Sequence, residues 1–354
     1  MKKALLSALL LAAVVLAAGA DGAPLFRITG ELDTGVQDVV TLQPSATADS
    51  ISLYDIDSGN ASRFRIGLSF TGPDGNWGLT TRLDNEISTS SAPFSASWNQ
   101  ALVWGNIFER YVTVKAGLLD EEAFSFTWRP LGVENIWGDQ FDGSWGLEIQ
   151  GRPIEGLQVG WILPIIQGTT ILKTLENSYG AISYSIPGLL HIVGGLFLSP
   201  LSYTYAWVGG DVSAVKGLTA RVAAQALNIN NAYDAWLELF QEAGYSLSGA
   251  FVNVKLWQEV YARPNSAAAW QVEPSVGYSV GDFTFAVLGD FGTLLALDPH
   301  PGIPILPFGF AAGASAEYSL APTSTIKIGA LYKMGDVTVQ SAVVQLFLSF
   351  QWLF

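Results

Sequence analysis

The stretch from Gln340 to Phe354, QSAVVQLFLSFQWLF, decides how the other residues of this 354-residue chain are interpreted. Every second position from Leu346 onward is large and apolar, while Ser349 and Gln351 lie between them. A two-residue period is that of a β-strand, whose side chains alternate between two faces. A strand whose outer face meets lipid needs a continuous apolar face. Here that face consists of Leu346, Leu348, Phe350, Trp352 and Phe354.

The opposite end of the chain predicts export. Lys2 and Lys3 precede an apolar run from Ala4 to Ala17, and Ala18-Gly19-Ala20 fits a small-residue cleavage site. We therefore expect residues 1–20 to be a cleaved signal peptide and residues 21–354 to form one domain. The sequence contains no cysteine, which excludes acylation at the cleavage site, disulfide bonds and cysteine-based metal sites.

The composition favours a membrane protein that crosses with strands. The chain is 49% hydrophobic with a mean hydropathy of +0.32, yet no run of 18 apolar residues follows the signal peptide. High hydrophobicity without long apolar runs is typical of alternating transmembrane strands. The formal net charge of -14 argues against nucleic acid as a partner. It also argues against docking on an anionic lipid surface.

The terminal strand and the signal peptide together resemble those of bacterial outer-membrane β-barrel proteins of the porin type. The resemblance implies a multi-pass barrel in outer-membrane lipid, delivered by periplasmic chaperones. It also implies that the barrel-assembly machinery recognises the final strand, and it raises the homotrimer that is common among porins. The assembly signal would be Phe354, Trp352, Phe350, Leu348 and Leu346.

Alternating segments recur along the whole chain and predict an all-β, antiparallel up-and-down barrel. In residues 63–71, for example, Phe64, Ile66, Leu68 and Phe70 alternate with basic or small residues. The best count is eighteen strands, and sixteen also fits because strand boundaries slip by a few residues. Long and short connections alternate, which places the long loops at one end, as in barrels with short periplasmic turns. Pro274 is the clearest conflict, because it falls inside a predicted strand.

Tryptophans near strand ends predict the aromatic girdles that mark the two lipid headgroup layers. The candidates are Trp77, Trp145, Trp207, Trp270 and Trp352. Three leucines, Leu227, Leu288 and Leu331, fall instead on the inward face of their predicted strands. A partly apolar lumen is therefore expected.

The connection at residues 119–143 is the most interesting for function, since it is acidic, aromatic and the third long loop. In porins this loop commonly folds into the lumen and narrows it. Carboxylates facing basic residues across a constriction create a transverse field that favours polar solutes. An acidic loop that simply faces solvent is an equally good interpretation. The loop carboxylates are Asp120, Glu121, Glu122, Glu134, Asp139 and Asp142, and the wall bases include Arg63, Arg65, Arg82 and Lys115.

These patterns lead to one expected function and three alternatives. We expect a passive diffusion channel for small hydrophilic solutes and ions, mildly cation-selective, without cofactor, metal or catalysis. A channel for hydrophobic or aromatic compounds, and a non-conducting surface barrel such as an adhesin or antigen, remain open. An outer-membrane hydrolase would need a serine with a histidine base and an orienting group, and only His191 and His300 are present. His191 is interpreted mainly as a lumen or interface residue.

Overall fold

A computed structural model describes residues 25–43, 46–53, 61–88, 94–119, 124, 126–128, 135–137, 144–165, 177–197, 204–229, 235–261, 269–292, 309–336 and 341–353. None of these residues belongs to a helix that could span a membrane. The predicted signal peptide lies outside the described residues. The strands are β1 (Leu25–Gln43), β2 (Ala46–Leu53), β3 (Ala61–Thr71), β4 (Trp77–Ser88), β5 (Phe94–Ile107), β6 (Val112–Leu119), β7 (Phe126–Trp128), β8 (Asn135–Trp137), β9 (Ser144–Gly151), β10 (Leu157–Pro164), β11 (Tyr179–Ile186), β12 (Leu190–Phe197), β13 (Tyr205–Val212), β14 (Leu218–Leu227), β15 (Trp236–Leu247), β16 (Ala250–Tyr261), β17 (Trp270–Val280), β18 (Phe283–Gly292), β19 (Gly309–Ala321), β20 (Ser324–Asp336) and β21 (Ser341–Leu353).

The strands close into a single antiparallel barrel. β1 pairs with β21, from Glu31 opposite Leu353 to Leu42 opposite Ala342. On its other side β1 pairs with β3 in its first half and with β2 in its second half, so β2 and β3 share one place in the wall. β7 and β8 pair only with each other, as a small hairpin inside the connection between β6 and β9. The wall therefore has eighteen strand positions, which confirms the best count from the sequence.

The connections alternate in length around the wall, as expected. The short turns span residues 72–76, 108–111, 152–156, 187–189, 213–217, 248–249, 281–282 and 322–323, and all lie at the end of the barrel where β1 begins and β21 ends. The turn at Ser248 and Gly249 has φ values of 50° and 89°, as in the two-residue hairpin turns that match the twist of the strands. Long connections are confined to the opposite end.

The outer surface of the barrel is apolar because the outward positions of its strands carry branched and aromatic side chains. Val222, Val287, Ile328 and Leu346 are each more than half exposed. So many exposed large apolar side chains would be unstable in water, whereas a lipid-facing surface requires them. Leu348, Phe350 and Trp352 of the terminal strand lie on this face, and Phe354 lies outside the described residues.

Two local expectations have a clear outcome. Pro274 does lie inside a strand, β17, opposite Val254 of β16. The cross-strand pairs between β17 and β18 do not include Glu273 and Pro274. Proline has no N–H to donate, and no ladder hydrogen bond to β18 is needed from residue 274. The assignment of Trp207 to a girdle is wrong, because its side chain faces the lumen and is only 4% exposed.

Candidate functional site in the barrel lumen

Polar and charged side chains occupy many of the inward positions of the strands. Cross-strand register aligns them from one strand to the next, so that Glu31 lies opposite Arg65 and Arg65 lies opposite Asp84. Because successive side chains alternate between the two faces of a strand, the residues between the outward apolar ones point into the lumen. The functional side chains are therefore expected on the inward face.

An ion-pair network lies on the inner wall formed by β1, β3 and β4. Arg65 contacts two carboxylates, with its Nη1 atom 3.3 Å from Glu31 Oε2 and its Nε atom 3.0 Å from Asp84 Oδ2. Arg63 lies 3.9 Å from Glu31, and Arg82 lies 3.5 Å from Asp84. All three arginines are partly exposed to the lumen. The network, which we call the β1–β4 network, alternates acidic and basic groups along the wall.

A second polar group lies on the neighbouring strands β6 and β9. Lys115 Nζ is 3.2 Å from Glu148 Oε2, and the Glu148 side chain is fully buried. Gln150 donates its side-chain amide to the same carboxylate, and Arg152 Nη1 donates to Thr113 Oγ1 over 3.1 Å. A buried carboxylate needs such a pair and hydrogen bond to remain charged.

The opposite wall, from β14 to β17, also carries paired charges. Arg221 Nη1 lies 3.3 Å from Glu242 Oε2, and Asn253 donates to the other oxygen of that carboxylate over 2.7 Å. On the next strands, Lys255 Nζ lies 3.0 Å from Glu273 Oε1. Bases and acids therefore neutralise one another locally around much of the described wall.

One part of the lumen is filled by apolar side chains rather than open to water. Trp207 donates its ring N–H to the Tyr179 hydroxyl over 3.0 Å. Gly195 permits this contact, since a Cβ atom there would lie 2.6 Å from the Tyr179 oxygen and 2.8 Å from Trp207 Nε1. The side chains are almost completely buried, so they form a packed cluster and not an accessible apolar path. We define the lumen apolar cluster as Phe124, Tyr179, Tyr205, Trp207, Phe240 and Trp257.

Phe124 brings the connection of residues 119–143 into the lumen. Its ring is fully buried in the apolar cluster and rests on Gly160, an inward position of β10. A Cβ atom at Gly160 would lie only 2.5 Å from Phe124 Cε2, so the wall accepts this ring only because residue 160 is glycine. At this one described point, the connection enters the barrel.

The open space lies on the polar side. A cavity of about 540 Å³ follows the inner wall from β4 to β10. Its lining is rich in amides, hydroxyls and cationic groups, so water and polar solutes can occupy it. The lining residues include Thr80, Gln100, Asn106, Thr113, Lys115 and Gln158.

The predicted site residues divide into two groups. Arg63, Arg65, Arg82 and Lys115 all lie on the inner wall, and each contacts a carboxylate. The six loop carboxylates, Asp120, Glu121, Glu122, Glu134, Asp139 and Asp142, lie outside the described residues, so their part in a constriction stays a prediction. The carboxylates that contact the bases belong instead to the wall itself, and the sequence reasoning did not select them. They are Glu31, Asp84 and Glu148.

The comparison with solved structures places this architecture. OpdQ of Pseudomonas aeruginosa aligns with a TM-score of 0.60 at 10% identity, over 93% of this chain and 97% of its own. OccAB4 of Acinetobacter baumannii aligns with the same TM-score and identity, over 93% of this chain and 98% of its own. The fold is that of the OprD/Occ outer-membrane porins. OprD of Pseudomonas aeruginosa itself aligns with a TM-score of 0.56 at 12% identity, over 92% of this chain and 95% of its own.

Likeness to these porins is a likeness of fold. No protein-family model matches the sequence, and no curated protein matches it either. At identities this low, only the arrangement of the strands is shown to be shared. What passes through this lumen must therefore be argued from its own side chains.

Proposed function

We propose that this protein is an outer-membrane porin through which small hydrophilic solutes and ions diffuse passively. The observation that carries the proposal is the division of the lumen between a packed apolar cluster and an open polar wall. An eighteen-stranded barrel is too wide for wall side chains to fill, so the unfilled part holds water. Solutes would pass beside the β1–β4 network and Lys115, on the side away from the lumen apolar cluster.

The same division weighs against a channel for hydrophobic compounds. Such a channel needs an apolar surface that a solute can reach, and the aromatic side chains of the lumen apolar cluster are buried against one another. Trp207 and Tyr179 are 4% and 1% exposed. The side chains that border the open cavity are instead mainly polar, including Gln100 and Asn106.

Mild cation selectivity is part of the proposal. Wall bases lie close to carboxylates, and Arg65 contacts two of them, so local charges largely cancel. The remaining bias then follows the chain as a whole, which has 31 acidic against 17 basic residues. A small excess of negative charge near a wide pore favours cations without excluding anions.

Swelling of liposomes tests the porin proposal against a non-conducting surface barrel. Refolded protein in multilamellar liposomes should admit sugars at rates that fall as the sugar becomes larger. Protein that is folded, shown by its heat-dependent migration on a gel, but that admits no sugar would contradict the proposal. Binding of cells or matrix without swelling would support the surface-barrel alternative.

The remaining expectations concern export and assembly, and they stay proposals. Cleavage after Ala20 would be tested by N-terminal sequencing of protein taken from outer membranes. Recognition by chaperones and by the barrel-assembly machinery would be tested by removing Phe354 and measuring the yield of folded barrel. Chemical cross-linking in mild detergent would test the homotrimer.

A further inference from the structure

Three inward side chains on adjacent strands form a hydrogen-bonded chain that permeation does not require. His191 of β12 lies between Ser183 of β11 and Asp211 of β13. The Ser183 Oγ atom is 3.2 Å from His191 Nε2, and His191 Nδ1 is 3.3 Å from Asp211 Oδ1. Each ring nitrogen therefore contacts a different partner, one hydroxyl and one carboxylate.

This arrangement is the one that activates a serine for attack on an acyl group. A carboxylate that accepts a hydrogen bond from Nδ1 holds the imidazole in the tautomer whose Nε2 atom can take a proton. That nitrogen then faces the hydroxyl that must lose its proton. Both distances are at the long end of hydrogen bonding, as is common in sites without substrate.

The strands fix this geometry. Asp211 lies directly opposite His191, whereas Ser183 lies diagonally across from it, since residue 185 is the direct partner of His191. Diagonal neighbours on one face of a sheet remain within reach of a long side chain such as histidine. The positions are thus held by the wall and not by a loop.

Ser183 borders a cavity of about 540 Å³ at the end of the lumen where the short turns lie. Arg110 and Arg152 line the same cavity together with Glu109 and Glu155, so its rim carries charges of both signs. Gln158, the direct cross-strand partner of Ser183, carries an amide that donates to Gln150 over 2.8 Å. Amide and guanidinium donors close to a serine can stabilise the oxyanion of a tetrahedral intermediate.

Access to the three side chains is uneven, as a catalytic arrangement would require. The side chains of His191 and Asp211 are 35% and 38% exposed, so solvent reaches the base. Ser183 is only 7% exposed, which limits attack to groups that enter the cavity.

We propose that Ser183, His191 and Asp211 hydrolyse small esters inside the turn end of the lumen. Ser183 Oγ attacks the carbonyl carbon while its proton passes to His191 Nε2. The carbon–oxygen bond to the alcohol then breaks, and the alcohol leaves with that proton. Water repeats the sequence on the acyl-serine, releasing the acid and restoring the hydroxyl.

The inference goes beyond the proposed channel, and its test is separate from the tests of permeation. Mature protein refolded in detergent is treated with a fluorophosphonate probe, and the labelled residue is identified by mass spectrometry. Turnover of 4-nitrophenyl butyrate is measured on the same protein. We expect labelling at Ser183 and turnover of the ester.

Ser185→Ala is the matched control, because Ser185 is an inward serine of the same strand that lines the same cavity. Ser183→Ala and His191→Gln should each lower turnover by about 100-fold or more, and Asp211→Asn by at least about 10-fold, whereas Ser185→Ala stays near the original rate. Turnover that survives Ser183→Ala but not His191→Gln would overturn the proposal, because imidazole alone would then be the catalyst. Folded protein without label at Ser183 would overturn it as well.

Discussion

The ring of Phe124 rests directly on Gly160, where even a single added methyl group would come within 2.5 Å of Cε2. The contact joins the connection of residues 119–143 to the inner face of β10. It also adds one ring to the lumen apolar cluster, which fills part of the barrel. The width of the water-filled path therefore depends on this pair.

Removing the ring should widen the path. Phe124→Ala takes a fully buried side chain out of the cluster, so we expect a larger single-channel conductance. Gly160→Ala should also change the conductance, because the new Cβ atom displaces the ring from the wall. Phe285→Ala, on the lipid-facing side of β18, is the control and should leave conductance unchanged. Unchanged conductance in both lumen variants would show that Phe124 does not limit the path.

Charge in the β1–β4 network should set ion preference. Arg65→Gln removes the base that contacts both Glu31 and Asp84, so the open wall becomes more negative. The reversal potential in a potassium chloride gradient should shift toward greater cation selectivity. Lys216→Gln makes the same charge change in the exposed turn of residues 213–217 and should have little effect. An equal shift in the two variants would place the selectivity outside the lumen.

A substitution at Gln241 tests which face of β15 points toward lipid. This exposed side chain lies between the outward residues Val222 and Leu256, and among the described residues it has no hydrogen-bond partner. In lipid, Gln241→Leu should therefore stabilise the barrel against urea by about 1–3 kcal/mol. The inward Gln225→Leu should destabilise it by a similar amount, because Gln225 donates to Glu238. The opposite signs would mean that the faces are assigned the wrong way round.

Closure of the barrel predicts a specific cross-link between the first and last strands. Val36 lies opposite Leu348, and the chain has no cysteine of its own. Cysteines at these two positions should form a disulfide in folded protein, since opposed Cα atoms lie about 4.5–5.5 Å apart. Cysteines at Val36 and Val344 lie four residues out of register, about 13 Å apart, and should not. Equal cross-linking of the two pairs would contradict the register.

The strands of the wall could be predicted from the sequence, because the alternation of apolar and polar side chains along each strand shows which of them face lipid and which face the lumen. Residues 63–71 reveal a strand and its two faces without knowledge of any partner. Contacts across the lumen could not be predicted in this way, because they depend on register. Glu148 contacts Lys115 because β9 pairs with β6, and the sequence alone does not show that pairing.

Side chains near strand ends were the least predictable. Trp207 has the position of a girdle residue in the sequence, yet it lies on the inward face and packs with Tyr179. Girdle and lumen positions differ by one residue in a two-residue period, so a small uncertainty in the boundary reverses the assignment. Likewise, nothing in the spacing of Ser183, His191 and Asp211 shows that three successive strands bring them together.

Planar-bilayer recording of the refolded mature protein tests the central claim most directly. A closed barrel with a water-filled polar path should give discrete, stable current steps in potassium chloride, with a modest preference for potassium over chloride. Protein that is folded and inserted in the bilayer but passes no ionic current would contradict the account, because the polar wall from β4 to β10 would then not border an open channel.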